Sequence, residues 1–246
     1  MQTQRIKLVS VNIERDWHYE TVFAFLKAEK PEVVCLQEIL DRDIPRFKKE
    51  LQMEGLFVPT ALSNLGRGTE ALAKAGIKNG NAIFTSLPIS LSNSFSYCEC
   101  GDDGVTHETR NFHKVLVYLT VEKGDKSFSI ATTHFTWTPN GESNDEQRRN
   151  MTALLKVLTS FPELILCGDF NAPRGGEIWG ALAARYQDNI PLTYDSSLDP
   201  FLHRLLNSKK LVVDGLWSTP HYRVSGVRLV EGVSDHKAVV GFVEKK

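Results

Sequence analysis

Polar side chains stand where apolar runs stop. Asn12 closes KLVSVN, Glu38 follows VVCLQ, His134 closes ATTH, and Asp169 and Asn171 follow LILCG. Asp214 sits in LVVDGLW, and Asp235 with His236 precedes the last apolar run, in GVSDHKAVVG. Ligand sites in open α/β sheets gather at strand ends. Carboxylates, amides and histidines brought together there would hold a hard cation with acid and base groups beside it. Taken singly, each has an ordinary structural explanation. An Asn forms turns, a Glu favours a helix start, and an Asp before a glycine caps a turn. The case rests on their joint placement.

The elements that must deliver these groups follow from periodicity. Strand patterns cover Arg5–Ile13, Glu32–Gln37, Asn81–Thr85, Ile89–Tyr97, Lys114–Glu122, Ser127–His134, Leu164–Cys167, Leu211–Trp217, Tyr222–Val230 and Ala238–Glu244. Helical spacing marks Tyr19–Lys30, stopped by Pro31, then Asp41–Met53, Gln147–Thr159 and Gly176–Tyr186. Strands outnumber helices, and hairpin-length gaps alternate with helical connections. That pattern indicates mixed sheets flanked by helices. Within LILCGDFN an extended chain would point Asp169 and Asn171 the same way and Phe170 to the packing side. Gly168 would let the chain turn close to the site.

Composition narrows the function classes. The chain has 246 residues, 41% of them hydrophobic and 24% charged, as expected of a soluble globular protein with a sizeable core. Net charge is −1, so no global basic field draws it to nucleic acid or anionic membrane. The N-terminus reads as a first strand rather than a signal peptide, and no run is long enough to cross a membrane. A cytoplasmic, monomeric, single-domain protein spanning 1–246 is the expectation. Cys35 and Cys167 read as buried small hydrophobes. Cys98 and Cys100, near His107, read as free thiols at a strand end rather than a zinc site. The Gly-rich span Ser63–Gly80 is a candidate substrate-facing loop, with room for a short helix.

LQE, T-x-H, GDFN and SDH, in this order after a strand-end N-x, resemble the endonuclease/exonuclease/phosphatase superfamily, also called DNase I-like. NAIFTSLPI and HETRNFHKVLVYLTV resemble further family segments. The resemblance spans Val9 to Val243. It implies an α/β four-layer sandwich, two packed mixed β-sheets flanked by helices, with the site at one edge. It also implies a Mg²⁺- or Mn²⁺-dependent phosphoesterase. Glu38, Asn12 and Asp235 match the metal-site residues. Asp169 matches the carboxylate that positions or deprotonates water, and Asn171 an amide donor to phosphate. His236, paired with Asp214, and His134 match the imidazoles that meet the phosphoryl group. After Asp214 the family's usual aromatic-Tyr or Tyr-Ile is Gly215-Leu216. The N-x-[ND]-G of members that incise abasic DNA is replaced by Asn12-Ile13-Glu14-Arg15.

The expected substrate is a phosphodiester, with DNA or RNA as partner. Trp137 and Trp217 are candidates to stack a base or line an apolar pocket, against an equal reading as packing residues. The alternatives are a phosphatase of the inositol phosphate or sphingomyelinase type, and a non-catalytic binding protein on the same fold.

Overall fold

The computed structural model describes residues 4–62, 70–98, 113–203 and 210–246. Strand β1 (Arg5–Asn12) leads to helix α1 (Tyr19–Glu29) and strand β2 (Val33–Leu40). A 3₁₀ turn (Asp41–Asp43) precedes α2 (Ile44–Leu51), β3 (Glu54–Leu62), α3 (Glu70–Lys74), β4 (Lys78–Thr85) and β5 (Ile89–Ser96). Then come β6 (Val115–Lys123), β7 (Lys126–His134), α4 (Asp145–Leu158), β8 (Ile165–Asp169) and α5 (Glu177–Ala183). The chain closes with β9 (Gln187–Asp188), β10 (Asp214–Ser218), β11 (Tyr222–Val230) and β12 (Ala238–Lys245).

Among the described residues the strands form two mixed six-stranded sheets, ordered β11-β12-β1-β2-β4-β3 and β5-β6-β7-β8-β10-β9. Each has one parallel pair near its centre, β1 with β2 and β7 with β8. The outward residues Val9, Val11, Val34 and Leu36 pack with Val22, Phe23 and Leu26 of α1 and Phe47 of α2. Met151, Leu154 and Leu158 of α4, with Ile178 and Leu182 of α5, cover the second sheet. The four-layer α/β sandwich expected from the sequence is therefore present.

The inner layer between the sheets grades in polarity along the parallel pairs. Register aligns Leu8 with Val33 and Ile130 with Ile165, all apolar. One step along stand Ser10, Cys35, Thr132 and Cys167, all buried. At the next step stand Asn12, Gln37, His134 and Asp169. Side chains two apart share a strand face, so one inner face runs from core to site without changing direction. Gln37 seals the boundary, its Nε2 donating to Thr132 Oγ1 at 2.9 Å.

Some expectations change. The Asp41–Met53 helix is broken, because Pro45 begins a fresh helix after the 3₁₀ turn. Strand β3 was not expected. Pro59 interrupts its pattern, which the sheet tolerates because β3 lies at an edge and shifts register between Pro59 and Ala61. Leu211–Val213 precede strand β10 rather than belong to it. Cys98 is disulfide-bonded, which overturns its reading as a free thiol. Cys100, His107 and residues 63–69 of the Gly-rich span lie outside the described residues; the short helix expected in that span is α3.

Trp217 is a correction too. Its ring is fully buried, 4.7 Å from the Trp179 ring and edge-on to Phe170 at 6.1 Å. A substrate cannot stack on it. The same packing explains Gly215: a Cβ there would meet Trp217 Nε1 at 2.4 Å and Phe170 Cε2 at 2.9 Å. Trp137 is 51% exposed. Trp217→Ala is expected to cost about 3–5 kcal/mol by cavity formation, and Trp137→Ala within about 0.5 kcal/mol. Urea unfolding of both variants checks this; equal losses would contradict the placement.

Candidate active site

Asp169 ends β8 with 1% of its surface exposed. Its Oδ1 accepts the Asn171 backbone N–H at 2.8 Å. Its Oδ2 accepts from Asn12 Nδ2 at 3.1 Å, and lies 3.4 Å from His134 Nε2 and 3.8 Å from His236 Nε2. Four segments distant in sequence thus meet at one carboxylate. Asn12 Nδ2 also reaches Glu38 Oε1 at 3.2 Å, and its Oδ1 accepts the Glu14 N–H at 3.1 Å.

Glu38 is not at a strand end; it lies within β2, at a register shift between Leu36 and Ile39. Gln37 faces the inner layer, so simple alternation would send Glu38 to the helix side. The bulge and a left-handed backbone (φ 61°) re-aim it at Asn12. The GDFN segment also departs from extended geometry. Phe170 packs inward as expected, but Asn171 is left-handed (φ 49°), turned by the Asp169 carboxylate. Its Nδ2 donates to Phe135 O at 3.1 Å. Gly168 serves strand pairing rather than a turn, since a Cβ there would lie 2.0 Å from Thr133 O.

Asp214, opposite Asp169 in the β8–β10 register, holds His236 Nδ1 at 2.8 Å. Its carry-over onto Gly215-Leu216 therefore coincides with an imidazole–carboxylate pair. Burial alone would lower the His236 pKa, but Asp214 and Asp169 raise it well above the usual value. His134 goes the other way: burial pushes it down to about 4 against the pull of Asp169, helped by Lys114 and His236. With 22% of its side chain exposed, it is read as neutral at pH 7. Two imidazoles beside one carboxylate are thus shifted in opposite directions.

Asp235 completes the acidic end. Burial pushes its carboxyl up to about 6, with Glu14 and Glu38 adding to the rise and His236 opposing it. Sequence reading missed Glu14, which is 7% exposed and has ligand atoms clustered with those of His18 and Asp235. Arg15 Nη1 lies 3.5 Å from Glu38 Oε2. Glu14 and Arg15 are both left-handed (φ 45° and 62°), a local distortion that no periodicity signals. The nearest sequence hint is their place directly after Asn12. The donor set is carboxylates and an amide with the His18 imidazole beside them and no thiolate, and suits a divalent ion of the hard class. Lys114 was also missed; it is buried, and donates to Phe135 O at 3.2 Å, the carbonyl that also receives Asn171.

A model of the Endonuclease/Exonuclease/phosphatase family matches residues 9–236, and the chain belongs to that family. No curated protein matches the sequence closely enough to count as a relative. Solved structures resemble the fold. The endonuclease/exonuclease/phosphatase from Bacteroides vulgatus superposes with TM-score 0.73 at 16% identity, covering 98% of this chain and 99% of that one. The human Nocturnin catalytic domain with bound sulfate gives 0.68 at 18%, covering 99% and 96%. A mannosyl-6-phosphatase from Bacteroides thetaiotaomicron gives 0.67 at 12%, covering 97% and 99%. No helix among the described residues is long and apolar enough to cross a membrane.

A raised histidine pKa stabilises the fold below the unfolded value near 6.5, and that contribution is lost as pH rises through the folded value. In the metal-free protein, the stability advantage of wild type over His236→Gln should therefore shrink as pH increases above about 6.5. The His236 imidazole should titrate well above the ordinary value by NMR, and Asp214→Asn should lower it. An unshifted His236 in wild type would contradict the pair.

Proposed function

We propose that the protein is a divalent-metal-dependent phosphodiesterase acting by in-line attack of water. The observation that carries this reading is the convergence of Asn12, His134 and His236 on the buried Asp169, beside the Glu14, Glu38 and Asp235 carboxylates. Glu38 and Asp235, with Asn12 and Glu14 beside them, would hold Mg²⁺ or Mn²⁺. A bound ion would polarise the phosphoryl oxygen and neutralise charge developing there.

The chain's own groups supply the rest. Asp169 is fixed by two amide donors, Asn171 N–H on Oδ1 and Asn12 Nδ2 on Oδ2, and the second lone pair of Oδ2 would orient water and take its proton. Asn171 would present an amide to the phosphate, while Asn12 ties Asp169 to Glu38. His236, held by Asp214, donates to a phosphoryl oxygen as an imidazolium, where preorganised charge favours the transition state. His134 Nε2, facing the same Asp169 oxygen as His236, would contact the phosphoryl group, while a proton for the leaving oxygen would come from the His236 imidazolium or from water. General acid–base help of this kind is worth about 10²–10⁴ in rate.

Trp137, half-exposed and three residues past His134, favours a diester that carries a planar group. Base–aromatic stacking is worth about 1–3 kcal/mol. Nucleic acid or a related diester fits. Release of inorganic phosphate from a sugar or inositol monoester, with diesters untouched, would instead assign a phosphatase.

The test is a substrate panel of single- and double-stranded DNA, RNA, a tyrosyl oligonucleotide, sphingomyelin and sugar or inositol phosphates, with Mg²⁺ or Mn²⁺. Diester cleavage is expected and should vanish in excess chelator. Asp169→Asn and Glu38→Ala should each lower kcat by at least about 10² with the fold intact. Full activity in chelator would overturn the proposal.

A further inference from the structure

Beyond the residues already placed lies a further imidazole. One nitrogen of His203, one nitrogen of His236 and one oxygen of Asp235 lie within 4.8 Å of one another. The His203 ring stands edge-on to that of His236, at 74° with centroids 6.0 Å apart. His203 is partly exposed, whereas His236 beneath it is buried.

The segment that carries His203 is fastened to the site on both sides. Lys237 N donates to Ser197 O at 2.7 Å, and Leu198 bridges to His236. Ser197 Oγ accepts the N–H groups of Val213 and Asp214 at 2.9 and 3.0 Å. Asp199, 2% exposed, donates its own N–H to Asp235 O at 2.8 Å. Its Oδ1 accepts from Phe201 N and Leu202 N, and its Oδ2 from Gly232 N at 2.7 Å. A buried carboxylate is costly unless donors surround it. Here the donors are the turn that ends in His203 and the loop before Asp235, so Asp199 locks the one against the other.

The inner nitrogen of His236 is engaged by Asp214, which leaves Nε2 for a ligand. His203 stands over that imidazole from the solvent side. We infer that His203 is a substrate-contacting residue that, with His236, grips a phosphoryl oxygen, and that Asp199 is its positioning residue. This rests on the phosphoesterase reading above. An anion is favoured over a second cation because two imidazoles meet there beside a single carboxylate, Asp235, whereas Glu14 clusters with Asp235 apart from His203. No covalent step is assigned to His203.

The experiment uses the full chain with Mg²⁺. It compares wild type, His203→Ala, His203→Asn, Asp199→Ala and the Asp199→Ala/His203→Ala double variant. kcat and KM are read on bis-(nitrophenyl) phosphate. Inorganic phosphate binding and Mn²⁺ binding are read by calorimetry, and folding by the unfolding midpoint. His203→Ala should lower kcat/KM and phosphate affinity by about ten- to a hundredfold, the worth of one hydrogen bond to a charged group. Mn²⁺ affinity should not change. His203→Asn, which keeps a donor, should recover part of the loss. The double variant should lose no more than His203→Ala alone, since residues acting through one contact are not additive.

Values within twofold of wild type for His203→Ala would overturn the inference. So would a loss explained by weakened Mn²⁺ binding. If His203→Ala fails to fold, His203→Asn and His203→Gln decide: both at wild-type kcat/KM and phosphate affinity would overturn it. If wild type cleaves no diester, the phosphodiesterase reading fails first, and phosphate binding still decides the role of His203.

Discussion

A carboxylate buried between two sheets is the constraint on which the site depends. Asp169 is 1% exposed, and an isolated buried anion is strongly disfavoured. Each oxygen therefore needs a partner, and the fold brings them from β1, β7, the turn after β8, and the segment before β12. Those partners are amides and imidazoles, the groups proposed above to meet a phosphate. Satisfying Asp169 and assembling the site are one task. Among the surrounding groups, Asn12 links Asp169 to Glu38, and Asp214 holds His236 from the neighbouring strand.

The inner layer makes this affordable. Small, weakly polar Ser10, Cys35, Thr132 and Cys167 separate the aliphatic core from the charged end. Gln37 adds a hydrogen bond across the sheets. Charged side chains enter this layer only at its Asn12–Asp169 end. Backbone strain concentrates at the same end: Glu14, Arg15, Glu38 and Asn171 all hold left-handed conformations. Non-glycine residues hold such conformations at a cost of order 1–3 kcal/mol each, and they cluster at functional sites. The two sheets and their apolar packing hold these four residues in place.

Much of this was legible in the chain. Strand-end polar residues forecast the meeting of Asn12, His134, Asp169, Asp214 and His236, because the sheet's period of two is strict. The same rule misjudged Glu38 and Asn171, whose directions come from a bulge and a turn. Periodicity carries no mark of a left-handed residue unless glycine occupies it. Trp217 was ambiguous because an aromatic next to a site residue packs inward or outward by the alternation of its strand, and here it packs inward. Strand β3 was hidden by Pro59, and His203 by lying in a loop with no pattern of its own. Glu14 and Arg15 followed Asn12 directly, yet only the distorted backbone shows that they turn back toward Glu38.

In the proposed reaction Asp169 and its partners direct water onto phosphorus. The most direct test is a single turnover of a cleaved diester in heavy-oxygen water, with mass analysis of both products. The account predicts one heavy oxygen on the phosphoryl product and none on the leaving alcohol. Label in the alcohol would mean attack at carbon and would contradict it.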